Sequence, residues 1–166
     1  MAITTIKDLL TEELRDLYHA EKQLAKALPK MAKAASSSEL VQAFEDHLDA
    51  TNGQVMRLEK AFQLLETTAR AKKCEAMEGL IKEGGEAIEE EMADPIRDLA
   101  LIAAAQKVEH YEISGYASAH SLAVACGERD VAELLQETLE EEEQADSALT
   151  SLAAALLEER GVEVEG

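Results

Sequence analysis

Large apolar residues recur along this chain at intervals of three and four, the spacing of one face of an α-helix. Leu10, Leu14, Leu17, Leu24, Leu28 and Met31 form a first stripe and predict a helix over about residues 6–34. Pro29 falls inside it and predicts a kink or local disturbance, because proline lacks an N–H and crowds the preceding turn. Ser36-Ser37-Ser38 breaks the pattern and offers an N-cap. A second stripe, with Leu40, Phe44, Leu48, Val55, Leu58 and Phe62, predicts a helix over about 39–66. The connection over about 67–94 carries a short amphipathic helix around Met77, Leu80, Ile81 and Ile88, weakened at Gly84-Gly85. Asp94 as cap and Pro95 in the first turn open a third main helix over about 95–126, which Gly127 ends. Asp130 opens a fourth, over about 130–160, marked by Leu135, Leu139, Leu149 and Leu156. Gly161 and the acidic tail 162–166 are expected to fray.

No strand-like alternation competes with these helices. Two tight helix hairpins joined by one long connection define an all-α fold. It is a ferritin-like four-helix bundle whose crossover carries a short extra helix. With 166 residues the chain is expected to form a single domain over 1–166 with one core. Being 46% hydrophobic yet only 3% aromatic, without Trp, it has a composition suited to helix rather than sheet.

The net charge of −19 makes nucleic acid and anionic membranes poor partners. No apolar run approaches the ~20 residues of a membrane span. The first residues lack a charged start followed by an apolar stretch. A soluble, cytoplasmic protein is expected. Cys74 and Cys126 stand far apart without ligand-type spacing and read as buried structural thiols.

The chemistry lies in acids placed where leucines belong. Glu21 continues the stripe of Leu14, Leu17, Leu24 and Leu28. Glu142 and Asp146 fall on that of Leu135, Leu139 and Leu149, and His47 and Thr51 on that of Phe44, Val55 and Leu58. In Val108-Glu109-His110-Tyr111-Glu112 the alanine-rich surroundings leave the facing ambiguous, so Glu109 and Glu112 could both point inward. Heights follow from counting out from the turns, since antiparallel arms rise equally. Glu21 and Thr51 each lie about 15 residues from a turn near Ser36, and Glu112 and Glu142 about 15 from one near Gly127. Glu112 and Glu142 are therefore expected to be neighbours. Glu109 and Asp146 lie level one turn away, and His47 sits a turn nearer its loop than Thr51. Glu140, Glu141 and Glu143 read as solvated surface. Carboxylates converging on a core from several helices point to a metal site. The bland alternative is that the inward acids are neutral or hydrogen-bonded to Tyr18, Tyr116, His47 or Thr51.

The chain resembles the YciE/YciF family of bacterial stress-response proteins. The resemblance is carried by Ala20-Glu21-Lys22-Gln23-Leu24, by Ala43-Phe44 with His47-Leu48, and by Cys74 to Ile81. Its strongest stretch is Ala100 to Ile113, and Glu137-Thr138-Leu139-Glu140-Glu141-Glu142 completes it. It implies a ferritin-like bundle related to rubrerythrin, a homodimer and a role in stress. It brings no settled activity. Ferritin-like carboxylate sites take one Glu from each of two helices and a Glu-xx-His motif from each of the other two. Glu21 and Glu112 match the single glutamates. The fourth helix reads Glu142-Glu143-Gln144-Ala145, so alanine replaces the histidine; the second reads Thr51-Asn52-Gly53-Gln54, so both ligands are absent. Asp146, Glu109 and His47 stand nearby as substitutes. A single divalent ion, an unusual dinuclear site and an empty polar core are all open.

Two functions follow. In the first, Glu21, Glu112 and Glu142, with Glu109, Asp146 and His47, bind iron or manganese, and a small oxidant such as peroxide or oxygen reacts there. In the second, the bundle is a non-enzymatic stress or interaction module that acts through its surface.

Overall fold

The computed structural model of the chain describes residues 2–164. Five helices, and no strand among the described residues, form it: α1 (Ile6–Ala34), α2 (Ser38–Leu64), α3 (Glu75–Glu89), α4 (Asp94–Ala125) and α5 (Arg129–Val164). The main helices make a ring in the order α1, α2, α5, α4, and α3 packs outside it against α1 and α4.

Local chemistry sets the ends. Thr5 and Asp8 form a reciprocal capping box before α1. Ser37 caps α2 through Leu40 N–H at 3.3 Å. Gly127, at φ 76°, closes α4 with bonds from Gly127 N to Val124 O and from Glu128 N to Ala123 O, a Schellman motif. Glu66 takes the same left-handed conformation after α2, at φ 55°. Two long-range links fix the topology. Asp98, at the start of α4, accepts bonds from Ser36 N, Ser36 Oγ and Ser37 N at 2.7–2.8 Å. Lys7, at the start of α1, reaches Glu128 at 2.7 Å in the α4–α5 turn. The two hairpin turns thus lie at opposite ends of the bundle, and α2 runs parallel to α4.

α1 continues through Pro29 to Ala34. Several local expectations differ from the structure. α3 runs through Gly84-Gly85 without a break. Packing of α3 on α4 holds the glycines in helix; a Cβ at Gly84 would meet Ala104 at ordinary contact, 3.9 Å. Asp94 is the first helical residue rather than the cap. Ala93 occupies the cap position without a side-chain bond, and Asp94 pairs instead with Arg97. α5 continues past Gly161 to Val164. The last two residues of the acidic tail, Glu165 and Gly166, lie outside the described residues. Cys74 is buried as expected but also caps α3, its Sγ accepting Met77 N–H at 3.4 Å and meeting Tyr111 Oη at 2.9 Å. No helix among the described residues is long and apolar enough to cross a membrane.

The core is divided. One apolar cluster, with Leu10, Leu14, Leu17, Leu58, Phe62 and Leu135, fills the end near the α4–α5 turn. The other, with Leu24, Leu28, Leu40, Phe44, Leu101 and Leu149, fills the end near the α1–α2 turn. A polar layer separates them.

Candidate metal centre

Each main helix passes from one apolar cluster to the other and contributes to the polar layer between. α1 brings Glu21, between Leu17 and Leu24. α2 brings His47, Thr51 and Gln54 on one face, α4 brings Glu109 and Glu112 one turn apart, and α5 brings Glu142. Glu21, Thr51, Gln54, Glu112 and Glu142 are fully inaccessible, and Glu109 and His47 nearly so.

One ligand atom from each of His47, Glu109, Glu112 and Glu142 lies within 4.8 Å of the others. His47 Nε2 is 3.5 Å from Glu109 Oε1 and 3.8 Å from Glu142 Oε2. Yet His47 Nε2, Glu109 Oε2 and both oxygens of Glu112 and of Glu142 have no hydrogen-bond partner. A buried polar atom left without a partner costs about 1–3 kcal/mol. A concentration of such atoms in one layer marks a place shaped by something other than stability.

Burial dominates the titration here. It pushes Glu112 well above the usual carboxylate range, helped by the charges of Glu21, Glu142 and Glu109. Burial does the same to Glu109, with Glu142 adding to it. Glu21 is also raised, first by burial and then by Glu142, although the bond from Tyr116 opposes the shift. Burial lowers His47 against the pull of Glu142 and Glu141, so its ring is neutral and can present a bare nitrogen. Burial thus favours the neutral forms of Glu21, Glu109 and Glu112, and any cation bound there would have to displace their protons.

Glu112 and Glu142 are neighbours, as their equal distances from the α4–α5 turn predict. Glu109 and His47 join them. Glu21 lies beside the four, with Oε1 accepting the Tyr116 hydroxyl proton and Oε2 unpartnered. Asp146 does not join. Four residues after Glu142 it lies about 40° further round the helix. There it accepts from Gln106 Nε2 at 3.2 Å and pairs with His110 Nε2 at 3.1 Å, as a half-buried latch between α4 and α5. Tyr18, another bonding candidate, turns away to Glu59 at 2.8 Å and stacks edge-on against Phe62. Glu141 is not simply solvated. Arg57 donates to both its oxygens at 2.8 and 2.5 Å, and Gln54 adds a bond at 3.0 Å. Burial raises Glu141, but these bonds outweigh it and hold its pKa below the usual range. Gln54 Oε1 and Thr51 Oγ1 stay unpartnered in the layer. Gln54 is a member of the layer that the sequence reading passes over; its place on the His47, Thr51, Gln54, Leu58 face is the signal that marks it.

Fold and site together define a ferritin-like helical bundle with a buried carboxylate–histidine cluster at its waist. The chain belongs to the family described as "Domain of unknown function (DUF892)", whose model matches residues 5–161. It is 50% identical over 157 residues to Protein YciF of Escherichia coli (strain K12), covering 92% of this chain and 93% of that protein. The crystal structure of the E. coli stress protein YciF superposes with a TM-score of 0.91 at 47% identity, over 94% of this chain and 99% of that one. YcfI of Rhodopseudomonas palustris matches with a TM-score of 0.87 at 40% identity, over 89% and 94% of the two chains.

Proposed function

We propose that this chain is a metal-binding stress protein that holds a divalent transition ion, iron or manganese, in the waist of its bundle. His47, Glu109, Glu112 and Glu142 would be the ligands, with Glu21 a further buried carboxylate of the same layer. The observation that carries this reading is the convergence of four buried, mutually close ligand residues with unsatisfied donor atoms. An oxygen-rich set with one imidazole suits a hard or borderline ion. Such an ion would supply Lewis acidity and one-electron redox chemistry toward oxygen or peroxide.

The chain's own residues have defined tasks in that chemistry. The carboxyls of Glu109 and Glu112 release protons as a cation enters, and neutral His47 supplies the nitrogen. The apolar clusters above and below keep bulk water from the layer. Tyr116 donates to Glu21 and orients it. The stress role rests on the likeness to the E. coli stress protein YciF, and a cytoplasmic homodimer rests on the family resemblance.

A second reading has its own support. Thr51 and Gln54 replace the Glu-xx-His pair on α2, and Tyr116 occupies one oxygen of Glu21. On that reading the acids keep their protons and the bundle is a scaffold. Elemental analysis decides. Protein purified without chelator should carry one or two equivalents of iron or manganese per chain, lost in a folded Glu112→Ala/Glu142→Ala variant. Absence of metal after anaerobic iron loading would leave the scaffold reading standing.

A further inference from the structure

The ligand cluster is buried but not sealed on every side. Between α2 and α5 runs a groove of about 930 Å³, lined in its depth by His47 and Glu109. These residues are both more than nine-tenths buried, and each keeps an unpartnered ligand atom. Small side chains flank them: Ala43 and Ala50 on α2, Ala145 and Ala148 on α5. Ala145 stands three residues after Glu142, where a Glu-xx-His motif would place an imidazole. A methyl group there leaves open the side that a histidine would close. Exposed acids, Glu39 and Asp46, stand along the same groove. The smaller cavity beneath α3, about 310 Å³, is lined by none of the four cluster residues and carries Lys26 and Lys30 instead.

We propose that the groove between α2 and α5 is the entry route to the cluster, and that it admits divalent cations. The proposal rests on the metal-binding reading above and deepens it. The alanines give the groove width beside His47 and Glu109. The acids at the groove and the net charge of −19 raise the local concentration of cations and disfavour anions. An incoming ion then meets His47 and Glu109 before Glu112 and Glu142, because only the first two line the groove.

The test uses the whole chain, freed of metal by chelator, and Co²⁺ as the probe, with uptake followed by visible absorption. Ala145→Phe narrows the route from α5 and Ala50→Phe from α2; both are first checked for folding by circular dichroism. Each should load at least about tenfold more slowly than wild type and reach the same final stoichiometry. Asp46→Asn with Glu39→Gln should slow loading and weaken its salt dependence. Wild-type loading rates in both wall variants overturn the route. If those unchanged rates come with a loss of dimer, the groove belongs to a second copy of the chain. Lost stoichiometry in both variants assigns the walls to the site itself and also overturns the route. A wild-type chain that takes up no ion overturns the metal reading, and with it the route.

Discussion

In metal-free protein, Glu112→Gln is expected to stabilise the fold, increasingly so as the pH rises. Glu112 is inaccessible and neither of its oxygens has a partner. Burial, with the neighbouring acids, holds its pKa well above the ordinary 4.5. The folded chain therefore keeps a proton that the unfolded chain gives up. A raised folded pKa contributes stability that is complete below about pH 4.5 and declines as the pH climbs toward the folded value. The decline is about 1.4 kcal/mol per pH unit for one proton. For a chain of this length that is roughly 3–6 °C in melting temperature per unit. Glutamine has the same shape, is neutral throughout and does not titrate. His47 acts in the opposite direction: burial depresses its pKa, so its contribution is present above its unfolded value and lost on acidification. Taking variant minus wild type removes that background. Urea and thermal melts followed by circular dichroism from pH 5 to 8, with chelator, should give a small difference at pH 5 that widens steadily. Parallel profiles would refute the reasoning, since Glu112 would then be satisfied or ionised in the folded chain. On the metal-binding reading, manganese at a hundred times its Kd stabilises wild type by about 2.7 kcal/mol, which narrows the gap and reverses the order only at the lower end of that pH range.

Four further outcomes follow from packing alone. Asp98→Ala removes three bonds that tie the α1–α2 turn to α4, and should destabilise the chain by about 3 kcal/mol in urea melts. Arg57→Ala removes the guanidinium that donates to Glu141 and Thr138 across the α2–α5 contact and leaves Glu141 only Gln54, with an expected loss of about 1–3 kcal/mol at pH 7. Because the folded pKa of Glu141 is depressed, that loss should shrink as the pH falls through the carboxylate range. Gly53→Ala lies in the interior of α2 with open space around the new methyl group, and should raise stability by about 0.5–1 kcal/mol. Glu66→Gly relieves a left-handed residue at the end of α2 and should raise the melting temperature slightly; a fall would mean that the Glu66 side chain contributes more than its backbone strain removes.

Where leucines frame an acid, the sequence alone tells which way it faces. Glu21 lies between Leu17 and Leu24 on a single stripe, and Glu142 between Leu139 and Leu149, because each of these helices turns one face to the core. α4 has no such stripe, and the reason is its position. It is covered by the ring on one side and by α3 on another, so apolar residues are buried in more than one direction. Periodicity cannot then distinguish the core face from the face beneath α3, and Glu109 stays ambiguous in the sequence. Asp146 is misplaced for a different reason. It lies at the edge of its stripe, where a rotation of about 40° moves a side chain from core to flank. Gln106 and His110 on α4 decide the matter, and no pattern within α5 reports on them.

The His47, Glu109, Glu112 and Glu142 cluster shows how a motif can look lost while its geometry persists. At the register of the Glu-xx-His pair, α2 offers Thr51 and Gln54, and a search at that register finds no ligand. One turn toward the α1–α2 loop stands His47. Glu109 likewise stands one turn before Glu112 on α4. Because α2 and α4 run parallel, a step toward lower residue number moves both in the same direction along the bundle, so His47 and Glu109 stay level and meet at 3.5 Å. Glu112 and Glu142 are close enough to serve either layer. The cluster has therefore moved by about one turn toward the α1–α2 end, away from Glu21, one of whose oxygens Tyr116 takes up. Fixed spacing within one helix misses such a move. Direction and height across four helices retain it, once the two long-range links, Asp98 to Ser36 and Lys7 to Glu128, are known.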